Sequence, residues 1–371
     1  MTGELPTPHL IIASDASVFG GHEQVCLDFA AEVAKLCKVD FATARANTLL
    51  NDKVRTVLGV EPLTMPITYR RFGAYLGALY FDQRREFRKI LQRFPNATIL
   101  LAQGRIETAA PFMAELRAQG RPFHSIIPFA HKLAEIKGES PLRSLEDKHR
   151  RSLYSLAQSY VVPSETAKAQ LRSNGVHAPI HILHNLAQDI SHSPPASGTV
   201  IRCIGRIDFW QKRQDLLLRA IAEDSTLFDG IRFEFAGTGP DEQKLLDLIK
   251  EYGLGGFVTH LGQVDRDKLF HGITAILMPS RFEGVPLTML EALSAGLPFI
   301  GSKIDIFEDY LPPAALVTEF SARNLRSVID SATADSRSDT WNSIAETVSR
   351  LHGAENFSNS SRDIAKLIVG M

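Results

Sequence analysis

Short apolar runs alternate with amphipathic stretches of helical period along this chain, and that alternation sets the expected elements. Residues 275–279 (AILMP) have the length and apolar continuity of a buried parallel strand. A polar turn follows at 280–284. Pro286 then suits the first turn of a helix, where its missing N–H costs nothing. The helix runs through Leu287, Leu290, Ala292 and Leu293 and stops at Gly296, with Pro298 beyond. Near the other end of the chain, residues 9–14 predict a strand, 15–21 a loop and 22–36 a helix. Residues 125–130 predict a strand that delivers His131 to its C-terminal edge, and 260–264 predict another. The same strand–helix alternation in both halves predicts two α/β domains. Ligands of such sheets gather at the C-terminal ends of the strands.

The domain boundary shows in composition. Residues 191–198 (SHSPPASG) are rich in Pro and Ser, just before the apolar run at Val200. The expected division is a front domain 1–188, a linker 189–199, a back domain 200–352 and a last helix 353–371 that packs back on the front domain. A length of 371 residues suits two such domains, and 44% hydrophobic with 22% charged is ordinary for a soluble globular protein. The net charge of −1 hides a split: 23 Lys and Arg face 17 Asp and Glu through Asn185, and 18 face 25 beyond it. A basic front and an acidic back imply different partners for the two halves. Cys26, Cys37 and Cys203 have no CxxC spacing and cannot all pair, which predicts a reducing compartment. No run approaches the ~20 apolar residues of a membrane span, and a cytoplasmic location is expected.

Chemistry concentrates between residues 205 and 291. Gly205-Arg206 ends one apolar run and Lys212 follows six positions later. Gly237-Thr238-Gly239-Pro240 ends the next run. Glu283 lies in the turn 280–284, and Glu291 eight positions on. Gly284, Val285 and Leu287 open the predicted helix, where N–H groups without helical partners and the helix dipole favour a phosphate. Glu291 stands about 6 Å further along the helix axis than Leu287. Two cations, an anion-binding helix start and two carboxylates suit a nucleotide-sugar: diphosphate on the former, hydroxyl groups on the acids. Gly20-Gly21 after the first strand allows close backbone approach to a ligand as well as a plain tight turn, and His22 beside it is a candidate contact.

These segments resemble the donor half of a family 4 glycosyltransferase: Ile204-Gly205-Arg206, Lys212 to Leu217, Phe235 to Pro240, His260-Leu261-Gly262, and Pro279 to Pro286 with Glu291-Ala292. The likeness is strong across 200–300, traceable through 9–31 and 120–185, and faint between 40 and 100 and after 310. It implies the GT-B fold, two facing Rossmann-like domains with a central cleft, and a Glu-x7-Glu signature carried by Glu283 and Glu291. On that resemblance Arg206 and Lys212 bind the donor diphosphate, Glu283 the transferred sugar and Glu291 the ribose diol. Gly20, Gly21, Gly205, Gly237, Gly239, Gly284, Val285 and Leu287 complete the donor site, and His131 sits beside the reacting groups. The implied activity is transfer of a sugar, with retention and without metal, to a glycan or lipid-linked acceptor in cell-envelope polysaccharide synthesis. Two places depart from the family pattern: His184 and Leu186 around Asn185, and residues 303–308.

Two other motifs carry less. Asp265-Arg266-Asp267 spells a metal-binding Asp-x-Asp, but it lies between a predicted strand and a helix starting near Lys268, where helix capping accounts for both acids. No metal and no cofactor are expected. Gly237-Thr238-Gly239 lacks the third glycine of a dinucleotide fingerprint. Residues 69–94 form a basic, aromatic-rich stripe with seven Arg and Lys against Asp82 and Glu86. It suits either an anionic membrane surface, at the inner face of the membrane, or packing on its own sheet. Nucleic acid is not an expected partner. Two further readings use the same site: a GT-B-like nucleotide-sugar 2-epimerase, which needs extra catalytic acids and no acceptor, and a non-catalytic sugar-nucleotide-binding protein.

Overall fold

The computed structural model describes residues 8–67, 77–334 and 339–371. The chain divides into a front unit, residues 1–186 with 354–371, and a second unit, 187–353. In the front unit β1 (His9–Ala13), β2 (Lys38–Ala44), β3 (Leu63–Met65), β4 (Thr98–Ala102), β5 (His124–Ile126), β6 (Ser159–Val162) and β7 (Ile180–Ile182) form one sheet. Its order is β3-β2-β1-β4-β5-β6-β7, and every pairing is parallel. Alternate residues of β1 go to opposite faces. Leu10 and Ile12 join Leu27, Phe29 and Phe41, while Ile11 and Ala13 join Phe87, Phe112 and Tyr160. A slip of one residue would exchange the two sets, so packing on both faces fixes the register. The last helix, Ala354–Val369, adds Phe357, Ile364, Ala365 and Ile368 to the first of these clusters. It lies on the helix Gly21–Val33, where Ser358 Oγ donates to Glu32 at 2.7 Å.

The second unit holds β8 (Thr199–Ile204), β9 (Ile231–Ala236), β10 (Val258–Gly262), β11 (Ala275–Met278), β12 (Phe299–Ser302) and β13 (Leu316–Val317). Their order is β10-β9-β8-β11-β12-β13, again parallel throughout. The chain steps outward one way from β8 and the other way from β11, so the topological switch point lies between these two strands. Part of the expected linker, 189–199, and Ala187 just before it are tied to this unit. Ala187 N–H donates to the His352 carbonyl at 2.9 Å, and Ser191 and Ser193 hydroxyls lie 3.1 and 3.0 Å from the two ring nitrogens of His271.

The stripe at 69–94 is not one exposed helix. Residues 69–76 lie outside the described residues, and the remainder is a 3-10 turn, Gly77–Leu79, followed by the helix Phe81–Arg93. That helix buries Phe87, Ile90 and Leu91, with the Phe87 ring stacked on Phe112 at 4.3 Å between centroids. Arg84 and Arg88 reach Glu115 at 3.1 and 2.7 Å, a carboxylate only 1% exposed. The hydrogen bond from Arg88, acting against burial, holds the Glu115 carboxyl down to about 2. Two of the cations offered to a lipid surface are therefore committed to an internal acid.

Candidate active site

The loops after β8 and β11 flank the switch point of the second sheet, where open α/β sheets place their ligands. After β8, Arg206 is half exposed and pairs with Asp208 at 2.8 Å. The same loop is knit by its own polar groups. Asp208 accepts from Gln211 N–H at 3.1 Å and its carbonyl from Lys212 N–H at 2.7 Å, and the Gln214 amide binds the Arg206 carbonyl at 2.9 Å. Asp208 thereby does for this loop what a capping residue does for a helix, and delivers Lys212 inward. Arg213, next along, takes the left-handed conformation at φ +54°, and burial with the nearby Arg281 lowers its pKa.

Lys212 Nζ meets Glu283 Oε1 at 2.7 Å, with the two side chains 16% and 7% exposed. Glu283 also accepts from the buried Ser280 hydroxyl, and Gln211 Nε2 lies 3.4 Å from its second oxygen. The loops are joined directly as well, since Arg281 N–H donates to the Gln211 carbonyl at 2.8 Å. The Arg281 guanidinium stacks over Trp210 at 4.4 Å. The structure thus brings Arg206, Lys212 and Glu283 together in one loop cluster. The lysine assigned to the diphosphate and the glutamate assigned to the sugar hold each other.

Three details differ from expectation. Gly237 and Gly239 do not offer open backbone to a ligand through their Cα faces. A Cβ on Gly237, at φ +136°, would stand 2.1 Å from the Gly205 carbonyl oxygen, and one on Gly239 would stand 2.2 Å from that of Ile207. Both glycines let the loop after β9 lie against the loop after β8, fastened by Ile207 N–H to the Thr238 carbonyl at 3.0 Å. Pro286 is the residue before the helix, with an extended ψ of 128°, and not its first residue; the helix is Leu287–Ser294. Gly284 and Val285 belong to the turn before it. Asp265 makes no capping bond to the 3-10 turn Arg266–Lys268 that follows it. Arg266, between the two discounted acids, binds the buried Glu291 instead. Burial pushes the Glu291 carboxyl up, against the opposing pull of Arg266.

In the front unit the loop after β1 carries Gly20 and Gly21. Gly20 N–H is taken by Glu23 Oε2 at 3.0 Å, which reserves one of the donors assigned to a ligand; Gly21 is exposed and opens the helix. Burial pushes the His22 imidazole down to about 4. In the same loop burial pushes Asp15 up to about 6, while its carboxylate accepts Ala109 N–H at 2.7 Å. His131 lies five residues beyond the end of β5 and is buried. Gln170, which sequence reasoning missed, fixes its ring. Gln170 Oε1 accepts Ala130 N–H at 2.8 Å, so its amide nitrogen is the atom 3.0 Å from His131 Nε2. That arrangement makes Nε2 the acceptor and puts the ring proton on Nδ1.

Among the described residues no group of three or more His, Cys, Asp or Glu side chains is placed to hold a metal ion. Asp208, Gln211, Ser280, Arg266 and Gln170 were also missed. The first two sit inside the 206–214 segment, but hydrogen bonds within a loop leave no periodic trace.

Residues 19–187 match the family described as Glycosyltransferase Family 4, and 188–346 match Glycosyl transferases group 1. The chain is similar to the lipopolysaccharide 1,6-galactosyltransferase of Escherichia coli K12, 31% identical over 175 residues, which is 44% of this chain and 47% of that protein. It also resembles an O-antigen biosynthesis glycosyltransferase, WclY, of Escherichia coli, 30% identical over 121 residues, covering 32% and 33% of the two chains. The matches to these two relatives span a third to a half of the relatives' own length. Among solved structures, HepE of Anabaena in complex with UDP-glucose superposes with a TM-score of 0.75 at 15% identity, over 98% of this chain and 100% of that one. The apo lipopolysaccharide outer core galactosyltransferase WaaB superposes at 0.67 and 18% identity, over 97% and 99%. At these identities the superpositions show the fold.

Proposed function

Built from a family 4 domain followed by a group 1 domain on two parallel α/β sheets, the chain belongs to the GT-B glycosyltransferases, and we propose that it moves a sugar from a nucleoside diphosphate sugar to a glycan of the lipopolysaccharide or O-antigen kind. The observation that carries this reading is the Lys212–Glu283 pair, held with Arg206 where the loops after β8 and β11 meet. Breaking the bond between the anomeric carbon and the diphosphate sends the bonding electrons to the phosphate oxygen. Lys212, Arg206 and the start of the helix Leu287–Ser294 stabilise that growing charge, the kind of contribution that dominates many enzymatic accelerations. Glu283, released from Lys212, accepts hydroxyl groups of the sugar, and Glu291 those of the ribose. In this reading the acceptor hydroxyl enters on the face the diphosphate leaves, its oxygen bonds the anomeric carbon with retention, and its proton passes to a diphosphate oxygen. The front unit takes the acceptor, and His131, its ring fixed by Gln170, orients the reacting groups.

Because the stabilising cations are side chains, the proposal includes turnover without metal. Activity should persist in EDTA; loss restored by Mg²⁺ or Mn²⁺ would overturn that part and return Asp265 and Asp267 to the site. The donor is tested by thermal shift with UDP-, GDP-, ADP- and CDP-sugars. UDP is the nucleotide to test first, HepE being described in complex with UDP-glucose. A ligand at one hundred times its Kd stabilises the folded state by about 2.7 kcal/mol. No shift with any of the four would refute the donor site. Work at the cytoplasmic face of a membrane belongs to the same proposal; among the described residues no helix is long and apolar enough to cross one.

A further inference from the structure

An ionised carboxylate held in one orientation is the strongest acceptor Glu291 can offer ribose hydroxyls, and its surroundings oppose the charge. It is 5% exposed on the helix Leu287–Ser294, and a buried acid without a partner takes up a proton or turns toward water. Arg266 supplies what burial removes. It stands on the 3-10 turn after β10, 25 positions away in the chain, and donates from Nη2 to Glu291 Oε1. Its side chain is 49% exposed, so the charge that stabilises the acid is itself largely solvated. One carboxylate oxygen is occupied and the group is fixed by a guanidinium whose planar fork constrains its orientation.

We propose that Arg266 is a positioning residue for the donor ribose, holding Glu291 charged and oriented so that the carboxylate binds the ribose hydroxyls; this rests on the donor-site reading above. Arg266 takes no part in bond breaking. A different role for the same ion pair is a latch, in which Arg266 occupies Glu291 until the donor displaces it, and the two roles predict opposite signs.

The test is a binding cycle in protein and ligand together. Affinities of UDP and 2′-deoxy-UDP are measured by calorimetry on wild type, R266A, R266K and E291Q, with the melting temperature of each free protein as a check on folding. Loss of a charge-supported hydrogen bond predicts UDP binding about tenfold weaker in R266A, with 2′-deoxy-UDP changed less than about twofold because its contact is already reduced. E291Q should reproduce that ribose-dependent loss and R266K should recover part of it. Equal losses for both nucleotides mean that Arg266 is merely structural, and tighter UDP binding in R266A means a latch; either result overturns the proposal. Wild type that binds UDP and 2′-deoxy-UDP alike refutes it too, while leaving the donor site standing. Wild type that binds no nucleoside diphosphate removes the donor reading first, and the inference with it.

Discussion

Replacing Lys212 with Met separates what the lysine does for the fold from what it does for the reaction. The substitution keeps an apolar stem beside Met278, whose sulfur lies 3.8 Å from Nζ, and deletes the charge that faces Glu283 at 2.7 Å. Removing one partner of a buried pair typically costs 3–5 kcal/mol, because the other charge is left uncompensated. Glu283 keeps the Ser280 hydroxyl and lies beside the Gln211 amide, so about 2–3 kcal/mol is the expected loss here. For a unit of this size 1 kcal/mol moves the melting temperature by about 2–4 °C, which predicts a fall of roughly 5–10 °C. The double variant K212M/E283Q removes the stranded charge and should recover most of that loss, a coupling of about 2 kcal/mol. Turnover behaves differently. Both K212M and the double variant lose about 10²–10³ in rate, as expected when one electrostatic stabiliser of a leaving group is deleted. Calorimetry and a donor-turnover assay on wild type, K212M, E283Q and the double variant read both effects. A double variant no more stable than K212M would refute the buried-pair argument, and near-wild-type turnover in K212M would refute its catalytic part.

Arg88→Glu places an acid beside the buried Glu115 and should destabilise the front unit at neutral pH. Glu115 is depressed in the fold, so its contribution is present above its unfolded value and fades as pH falls toward 2; denaturation at pH 7 and pH 3 should show the penalty shrinking, and a pH-independent penalty would contradict the assignment. Asp15→Asn keeps an oxygen for Ala109 N–H but removes an acid raised to about 6. The folded state holds that proton more tightly, so ionisation is a penalty present above pH 6 and absent below about 4. The variant should therefore be more stable than wild type by about 3 kcal/mol at pH 8 and equal to it at pH 4, with an equal shift at both pH values as the refuting result. Gly237→Ala, at φ +136° with 2.1 Å to the Gly205 oxygen, must displace the loop that carries Arg206. It should cost several kcal/mol, whereas Gly255→Ala, with no atom within 4 Å, should cost about 1 kcal/mol or less; equal melting temperatures would show that the loop yields freely.

The strands flanking the site were legible because their signal is local. An apolar run followed by a polar turn and a helical period marks β11 and the helix Leu287–Ser294 within about twenty residues, and the same holds for β8 with its loop. Pairings across the chain were not legible. Arg266 with Glu291, Gln170 with His131 and Arg88 with Glu115 join residues 25 to 39 positions apart, and nothing in the local pattern distinguishes a charge that is paired from one that is solvated. Gly237 and Gly239 illustrate a second limit. Close approach to a phosphate and close approach to a neighbouring loop both require the missing Cβ, so the residue type is the same and only the partner differs. The stripe at 81–93 was ambiguous for a related reason. Phe87, Ile90 and Leu91 would serve a bilayer or a protein interior equally, and the deciding residue, Glu115, lies on another helix.

Three cations of the candidate site are paired with acids. Lys212 faces Glu283, Arg206 faces Asp208 and Arg266 faces Glu291, so each of these three cations meets an acid. A cluster of bare cations would bind any phosphate, and burying the Glu283 carboxylate at 7% exposure without a partner is costly. Pairing offsets that cost, and it makes recognition conditional. A diphosphate that draws Lys212 away strands a buried carboxylate, unless the same ligand brings hydroxyl groups to replace the ammonium. Phosphate alone offers one half of that exchange and a free sugar the other. A nucleotide-sugar supplies both on one molecule, which is the physical reason a pair of opposite charges, and not a purely basic pocket, suits a site for that donor.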